Sequence, residues 1–246
     1  MSELRSASEI FNFKGDRMVG ILNSPALPEG RRVPGVLFLH GFPGAEKNVD
    51  IQRALLKQNV ASFLLHFRGA WGSEGNYRFT SLVEEARAVL RFLAGQPFVD
   101  PARLAVFGFS MGGWAAINLA GLEPRLKALV AVAPVGGPEM AGGDVLQRVK
   151  KLSRPLRVGS IPALAKDFVR AVRTQDPAVA AAKRKFPFLL VHGDADDTVP
   201  VQVSHRIAAA ARAPKKVVFA AGARHDFLDR REWLTRLVAP WLTRHL

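Results

Sequence analysis

The sequence predicts an α/β protein with a mostly parallel sheet and helices on both of its faces. Short continuous apolar runs, the kind that a parallel sheet buries on both sides, alternate with helix-period segments along most of the chain. Several of those runs stop at glycine-dense loops, notably at 40–44, 69–75 and 108–113. At 246 residues the chain is expected to form one domain of the larger α/β type, 1–246, able to bury a substantial core.

The elements follow in order. Ser6 to Phe13 alternates polar and apolar residues like an edge strand, and Arg17 to Asn23 does the same after the turn Lys14-Gly15-Asp16. A loop rich in proline and charge, Ser24 to Pro34, closes this antiparallel start. Val36 to Leu39 and Val60 to Phe67 read as buried strands, with a short helix, Ile51 to Gln58, between them. Thr80 to Ala94 is amphipathic, with Leu82, Val83, Ala86, Val89, Leu90 and Leu93 at helical spacing. Asp100-Pro101 leads into the strand Arg103 to Phe107, and a helix from Trp114 to Gly121 follows the loop after it. Further strands are expected at Leu126 to Ala133, Phe186 to Val191 and Val217 to Ala220, and further helices at Val201 to Ala211 and Arg231 to His245.

One segment breaks the alternation. About fifty residues separate Pro134 from Phe186, far more than a crossover needs. Val145 to Leu152 and Ile161 to Val172 read as helices lying outside the sheet, so 135–185 is expected to be an inserted helical cap.

Composition narrows the function. Cysteine is absent, so there is no disulfide framework, thiol nucleophile or Cys-bound metal, and the chain suits a reducing cytoplasm, its expected location. Met1 to Phe13 lacks a basic start followed by an apolar run, so no signal peptide is expected, and no apolar run is long enough to span a membrane. The net charge of +14 is scattered, without the aromatic interleaving or motif of a nucleic-acid binder, so no nucleic-acid partner is expected. Half of it lies between Gly136 and Pro187, where eleven Lys and Arg face four Asp and Glu. That enrichment is either a solvated surface or a basic lid favouring anionic substrates through its field.

The chemistry centres on Gly108-Phe109-Ser110-Met111-Gly112, a G-x-S-x-G at a strand-to-helix turn. Such a nucleophile elbow holds a serine hydroxyl out at the top of a sheet, in a turn too tight for side chains at Gly108 and Gly112. A serine hydroxyl needs a base to take its proton and a third group to orient that base. Later strand ends offer both: His192-Gly193-Asp194-Ala195-Asp196-Asp197-Thr198-Val199-Pro200 holds acids, and Gly222 to Phe227 holds His225. No H-x-H or H-E-x-x-H spacing, P-loop or helix-opening G-x-G-x-x-G occurs, so neither metal nor cofactor is expected.

With the loops His40-Gly41-Phe42 and Arg68-Gly69 through Gly75, these motifs resemble the α/β-hydrolases. Within that fold the chain is similar to small bacterial serine esterases of the feruloyl and cinnamoyl type, relatives of the prolyl oligopeptidase catalytic domain. The resemblance implies Ser110 as nucleophile, His225 as general base and Asp196 as the orienting acid, the first of the Asp pair. Asp197 is the competing acid, and Asp194 reads as a turn-capping residue. The backbone N–H groups of Phe42 and Met111 would form the oxyanion hole. His40 and His192 are expected to hydrogen-bond loop backbone, His66 to be a core or site-wall residue, and His205 and His245 to lie on the surface. Trp71 and Phe79 are candidates for lining the substrate pocket.

The resemblance implies hydrolysis of a small-molecule carboxylic ester through an acyl-enzyme. A peptidase or amide hydrolase, and a thioesterase or acyltransferase, use the same triad; a non-catalytic binding protein would require triad loss. Ester over peptide is the expectation, because related peptidases carry a propeller for which 246 residues leave no room. Their paired-Asp loop also often continues with arginine, where this chain has Thr198. The basic cap adds the expectation that anionic or phenolic-acid esters are preferred. Cap-mediated dimers are common in similar enzymes, which makes a homodimer one option.

Overall fold

The computed structural model describes residues 4–183, 185–212 and 214–246. Met1 to Glu3, the start of the stretch read above for a signal peptide, and Arg184, one of the eleven basic residues, lie outside them.

Eight strands form one sheet in the order β1-β2-β4-β3-β5-β6-β7-β8. β1 (Leu4–Phe13) and β2 (Asp16–Pro25) make an antiparallel hairpin at one edge. Its two-residue turn uses Lys14 and Gly15, both at positive φ, which matches the twist of the flanking strands. β2 also runs antiparallel to β4 (Ala61–Leu65). From there β3 (Val33–Leu39), β5 (Val99–Phe109), β6 (Leu126–Val132), β7 (Phe188–Gly193) and β8 (Lys215–Ala220) are all parallel. Asp100-Pro101 sits within β5 instead of ahead of it. The pairing jumps from Val33–Val99 to Gly35–Leu104, and this irregularity takes up a proline that a continuous ladder would reject.

The apolar runs read as they do because successive side chains enter different cores. Val36 and Phe38 face one layer, which α1 (Val49–Leu56) and α8 (Arg231–His245) complete with Ile51, Leu55, Leu234 and Val238. Leu37 and Leu39 face the other, covered by α2 (Leu82–Ala94), α3 (Met111–Ala120) and α7 (Gln202–Ala210). Arg231 on α8 bonds Asn48 and Asp50 at the start of α1 and so ties the outer pair together.

Between β6 and β7 lie a 3-10 turn (Pro138–Ala141) and the helices α4 (Val145–Leu152), α5 (Ile161–Thr174) and α6 (Pro177–Ala181). The sequence reading missed α6 in its alanine-rich tract. This helix packs on α3 and α7, so the last part of 135–185 belongs to the helical layer and only the part through α5 departs from it.

Candidate active site

Ser110 is the first residue after β5, and α3 begins at the next position, three residues earlier than the Trp114 start expected after the elbow motif. Its backbone is at φ 54° and ψ −118°, a conformation L-residues rarely adopt and one that costs on the order of 1–3 kcal/mol. The surroundings hold it there. Its N–H donates to Val132 at 2.8 Å, and its carbonyl accepts from Trp114 at 3.1 Å and Val135 at 3.1 Å. A Cβ on Gly108 would collide with the Gly112 carbonyl, and one on Gly112 with that of Leu39, so both glycines are steric requirements.

Two loops at neighbouring strand ends reach the serine. His225, after β8, places Nε2 3.0 Å from Ser110 Oγ and Nδ1 2.7 Å from Asp196 Oδ2. Asp196, after β7, has a fully buried side chain. Its Oδ1 accepts the amides of Thr198 and Val199, each at 2.8 Å, while Oδ2 takes His225 and, at 3.0 Å, His192 Nε2. Burial alone would raise this carboxyl. The hydrogen bonds from the two histidines and the Val199 amide outweigh it and hold the group well below the usual carboxylate range. Because that carboxylate can only accept, His225 carries its hydrogen on Nδ1 and presents a lone pair on Nε2 to the Ser110 hydroxyl.

The other acids of this loop have different partners. Asp194 accepts the Gly222 amide at 2.7 Å and pins the His225 loop to β7. Asp197 is exposed and, among the described residues, meets Thr198 and Arg224. His192 is fully buried: its Nε2 is shared between Asp196 and the Val199 carbonyl, and its Nδ1 accepts from Ser204 Oγ at 2.6 Å. The sequence reading assigned it loop backbone alone and missed the carboxylate. The available signal was its position at a strand end, four residues before the acid.

His40 bonds the Gly41 carbonyl through Nδ1 at 2.7 Å and accepts the Phe67 amide on Nε2 at 3.3 Å. Burial lowers its pKa to about 4. His66 donates to the Trp71 carbonyl, and burial with Lys47 nearby lowers it also to about 4. His205 stacks on Phe219 and His245 on Trp241, away from the serine.

The His40 loop passes directly beside Ser110, since a Cβ on Gly41 would lie 3.0 Å from Ser110 Cβ. This brings Phe42 next to Met111, whose N–H opens α3 and has no carbonyl one turn back to bond. Both side chains, with Ser110, Val135, Thr198 and Val199, line a cavity of about 70 Å³. α4 and α5 close it with Val145, Arg148, Val149, Leu152 and Phe168. Phe79 lines it too. Trp71 does not: its indole N–H bonds the Pro43 carbonyl and Lys47 sits 4.3 Å over its ring, which draws it to the surface beside the 43–47 loop. Most of these lining residues went unassigned in the sequence, although Val145, Val149 and Leu152 share one face of α4 at helical spacing.

Among the described residues, no helix is long and apolar enough to cross a membrane. The sequence profile of the prolyl oligopeptidase family matches residues 51–246. An uncharacterized protein of Mycobacterium tuberculosis strain H37Rv is 32% identical over 206 residues, covering 82% of this chain and 67% of that protein. Among solved structures, Est1E from Butyrivibrio proteoclasticus with bound ferulic acid superposes with a TM-score of 0.80 at 23% identity, covering 96% of this chain and 98% of Est1E. A puromycin-hydrolyzing peptidase of Mycobacterium tuberculosis gives 0.75 at 21% identity, covering 98% of this chain and 39% of the peptidase. The chain has the α/β-hydrolase fold and belongs to the prolyl oligopeptidase family of hydrolases.

Proposed function

We propose that this protein is a serine hydrolase that cleaves carboxylic esters through an acyl-enzyme, with Ser110, His225 and Asp196 as its triad. The observation that carries the reading is the unbroken hydrogen-bonded line from Asp196 Oδ2 through the His225 ring to Ser110 Oγ, at 2.7 and 3.0 Å. Ser110 Oγ attacks the ester carbonyl carbon while His225 Nε2 takes the hydroxyl proton. The carbonyl electron pair moves to oxygen, where the Phe42 and Met111 amides stabilise it; each such donor is worth on the order of 10²–10³ in rate. Collapse expels the alcohol, which leaves with the proton from Nε2. Water then attacks the acyl-enzyme, losing a proton to the same nitrogen, and Ser110 is released with the carboxylic acid. Asp196 holds the His225 tautomer and stabilises the imidazolium in both halves. The helices α4 and α5 act as the cap over the acyl group.

The test is covalent labelling. A fluorophosphonate probe is expected to label the purified protein stoichiometrically, and Ser110→Ala is expected to abolish the label with the fold unchanged by circular dichroism. Absence of labelling in the folded wild-type protein would sink the reading.

Amide or peptide hydrolysis is the second reading, favoured by the family profile and by the fold shared with the puromycin-hydrolyzing peptidase. Parallel turnover of matched 4-nitrophenyl esters and 4-nitroanilides separates the two.

A further inference from the structure

We infer that the acyl group this site accepts is a short aliphatic one, and that the cap sets this limit by being pinned to the body of the fold. The inference rests on the ester reading above and names its substrate class.

The cavity beside Ser110 is the acyl side of the site. A leaving alcohol must sit where His225 Nε2 can protonate it, yet neither His225 nor any other residue of 221–227 lines the cavity. The group at its mouth is Ser110, and its far wall comes from α4, α5 and Phe79. Size is the first constraint. The volume is about 70 Å³. A site known to take benzene measures roughly 150 Å³, about twice as much. With the carbonyl at Ser110, about one to three further carbons fit, so acetyl to butyryl. An aromatic acyl group does not.

Polarity is the second constraint. Apart from Ser110, the polar lining residues are Thr198 and Arg148. Thr198 belongs to the Asp196 loop, beside the serine. Arg148 spends its Nη2 on the Met140 and Gly142 carbonyls at 3.1 and 3.0 Å. Around Arg148 the wall is Phe79, Met140, Val145, Val149, Leu152 and Phe168, so most of the surface that an acyl group meets is apolar. Among the described residues, Arg148 is the one basic residue of the cap in this lining.

The wall is fastened on two sides. Asp167 on α5 accepts both the amide and the hydroxyl of Thr80, at 3.2 and 2.7 Å, one residue from Phe79. Ahead of α5, the Arg157 carbonyl accepts the Tyr77 amide at 2.9 Å and the Arg157 amide donates to Gly69 at 2.7 Å. At the other flank Arg206 on α7 pairs with Glu139 at 3.0 Å and Asp176 at 2.7 Å. A roof held this way keeps the cavity at its size.

The experiment is a chain-length series of 4-nitrophenyl esters, acetyl to decanoyl, with 4-nitrophenyl ferulate as the aromatic probe. kcat/KM is expected to rise about fourfold per added methylene while the cavity fills. Beyond butyryl it is expected to fall by about tenfold or more, as overpacking sets in. Leu152→Ala, at a half-buried position, and Phe168→Leu are each expected to move the optimum to hexanoyl or longer. Asp167→Ala is expected to flatten the series by releasing the wall. An optimum at octanoyl or at ferulate in the wild type would overturn the inference and leave the ester reading standing. So would an unmoved optimum in all three variants. Absence of both ester turnover and fluorophosphonate labelling would overturn the two together.

Discussion

His192 Nε2 and His225 Nδ1 converge on one oxygen of Asp196, at 3.0 and 2.7 Å. The acid of the proposed triad is thus itself held, by a histidine whose other partners are Ser204 and the Val199 carbonyl. Hydrogen bonds to a charged group are worth about 1.5–3 kcal/mol, so removing this one is expected to cost about 10- to 100-fold in kcat. The loss in His192→Phe should fall on kcat, with KM little changed, because His192 does not line the acyl cavity. His192→Gln, which restores a donor, should recover part of it. A proportional loss of kcat in both variants would reduce His192 to a packing role.

Asp196 and Asp197 are adjacent in sequence and opposite in environment. The Asp196 side chain is fully buried beneath four donors, whereas that of Asp197 is 64% exposed. Asp196→Asn is expected to lower kcat by on the order of 10⁴, through loss of the correct imidazole tautomer. Asp197→Asn should remain within about threefold of wild type, as expected for an exposed group with one long ion pair. Steady-state kinetics on the two variants decide the assignment, and the reverse pattern would transfer the role to Asp197.

The contrast between those two aspartates marks what the sequence can carry. The parallel strands were legible because short apolar runs bounded by glycine-dense loops alternate with helix-period segments, and α8 was found at its observed limits. Ser110, Asp196 and His225 were legible because each follows a strand end in fixed order, and topology brings strand ends together. The partners of His192 were not. They depend on a side-chain direction across β7 that no pattern encodes. Trp71 lies outside the cavity described for a related reason: a positive φ at that residue, its bond to the Pro43 carbonyl and the nearby Lys47 place its indole against the 43–47 loop. The cavity walls escaped notice because helix amphipathicity shows which face is buried, not what it is buried against.

A second network fixes the 69–75 loop. Glu85 is buried, and that burial raises its pKa against the opposing bonds from Ser81 and Arg68. Arg68 donates through Nε at 2.9 Å and through its backbone amide at 3.0 Å. Arg68→Ala leaves this carboxylate buried without its counter-charge, and is expected to cost about 3–5 kcal/mol of stability. Replacing both partners, Arg68→Met with Glu85→Leu, should recover most of that loss, since apolar side chains carry no desolvation penalty. Urea midpoints of the single and double variants test this; equal destabilisation would show that the guanidinium packing matters and the charge pairing does not.

Stability should also depend on pH through the two histidines beside the His40 loop. Both have folded-state pKa values lowered to about 4, burial being the main cause for each. The unfolded chain titrates them at about 6.5 and so binds more protons than the folded chain between these limits. Stability is therefore expected to be level above about pH 7, and the two histidines contribute a fall of up to two protons of slope as pH drops through that window, which the raised carboxyls of Glu46 and Glu85 oppose. Asp196 does not confound the measurement. Its folded pKa is depressed, so its contribution is present above the unfolded value of about 3.9 and is lost only in stronger acid. Urea titrations between pH 7 and pH 4.5 on the wild type and on His66→Gln separate the histidines from the general repulsion of a +14 chain, which both proteins share. The variant should lose the contribution of His66, up to one proton of slope. An identical slope would mean that His66 accepts its proton in the folded state, with its unpartnered Nε2 finding a bond on protonation.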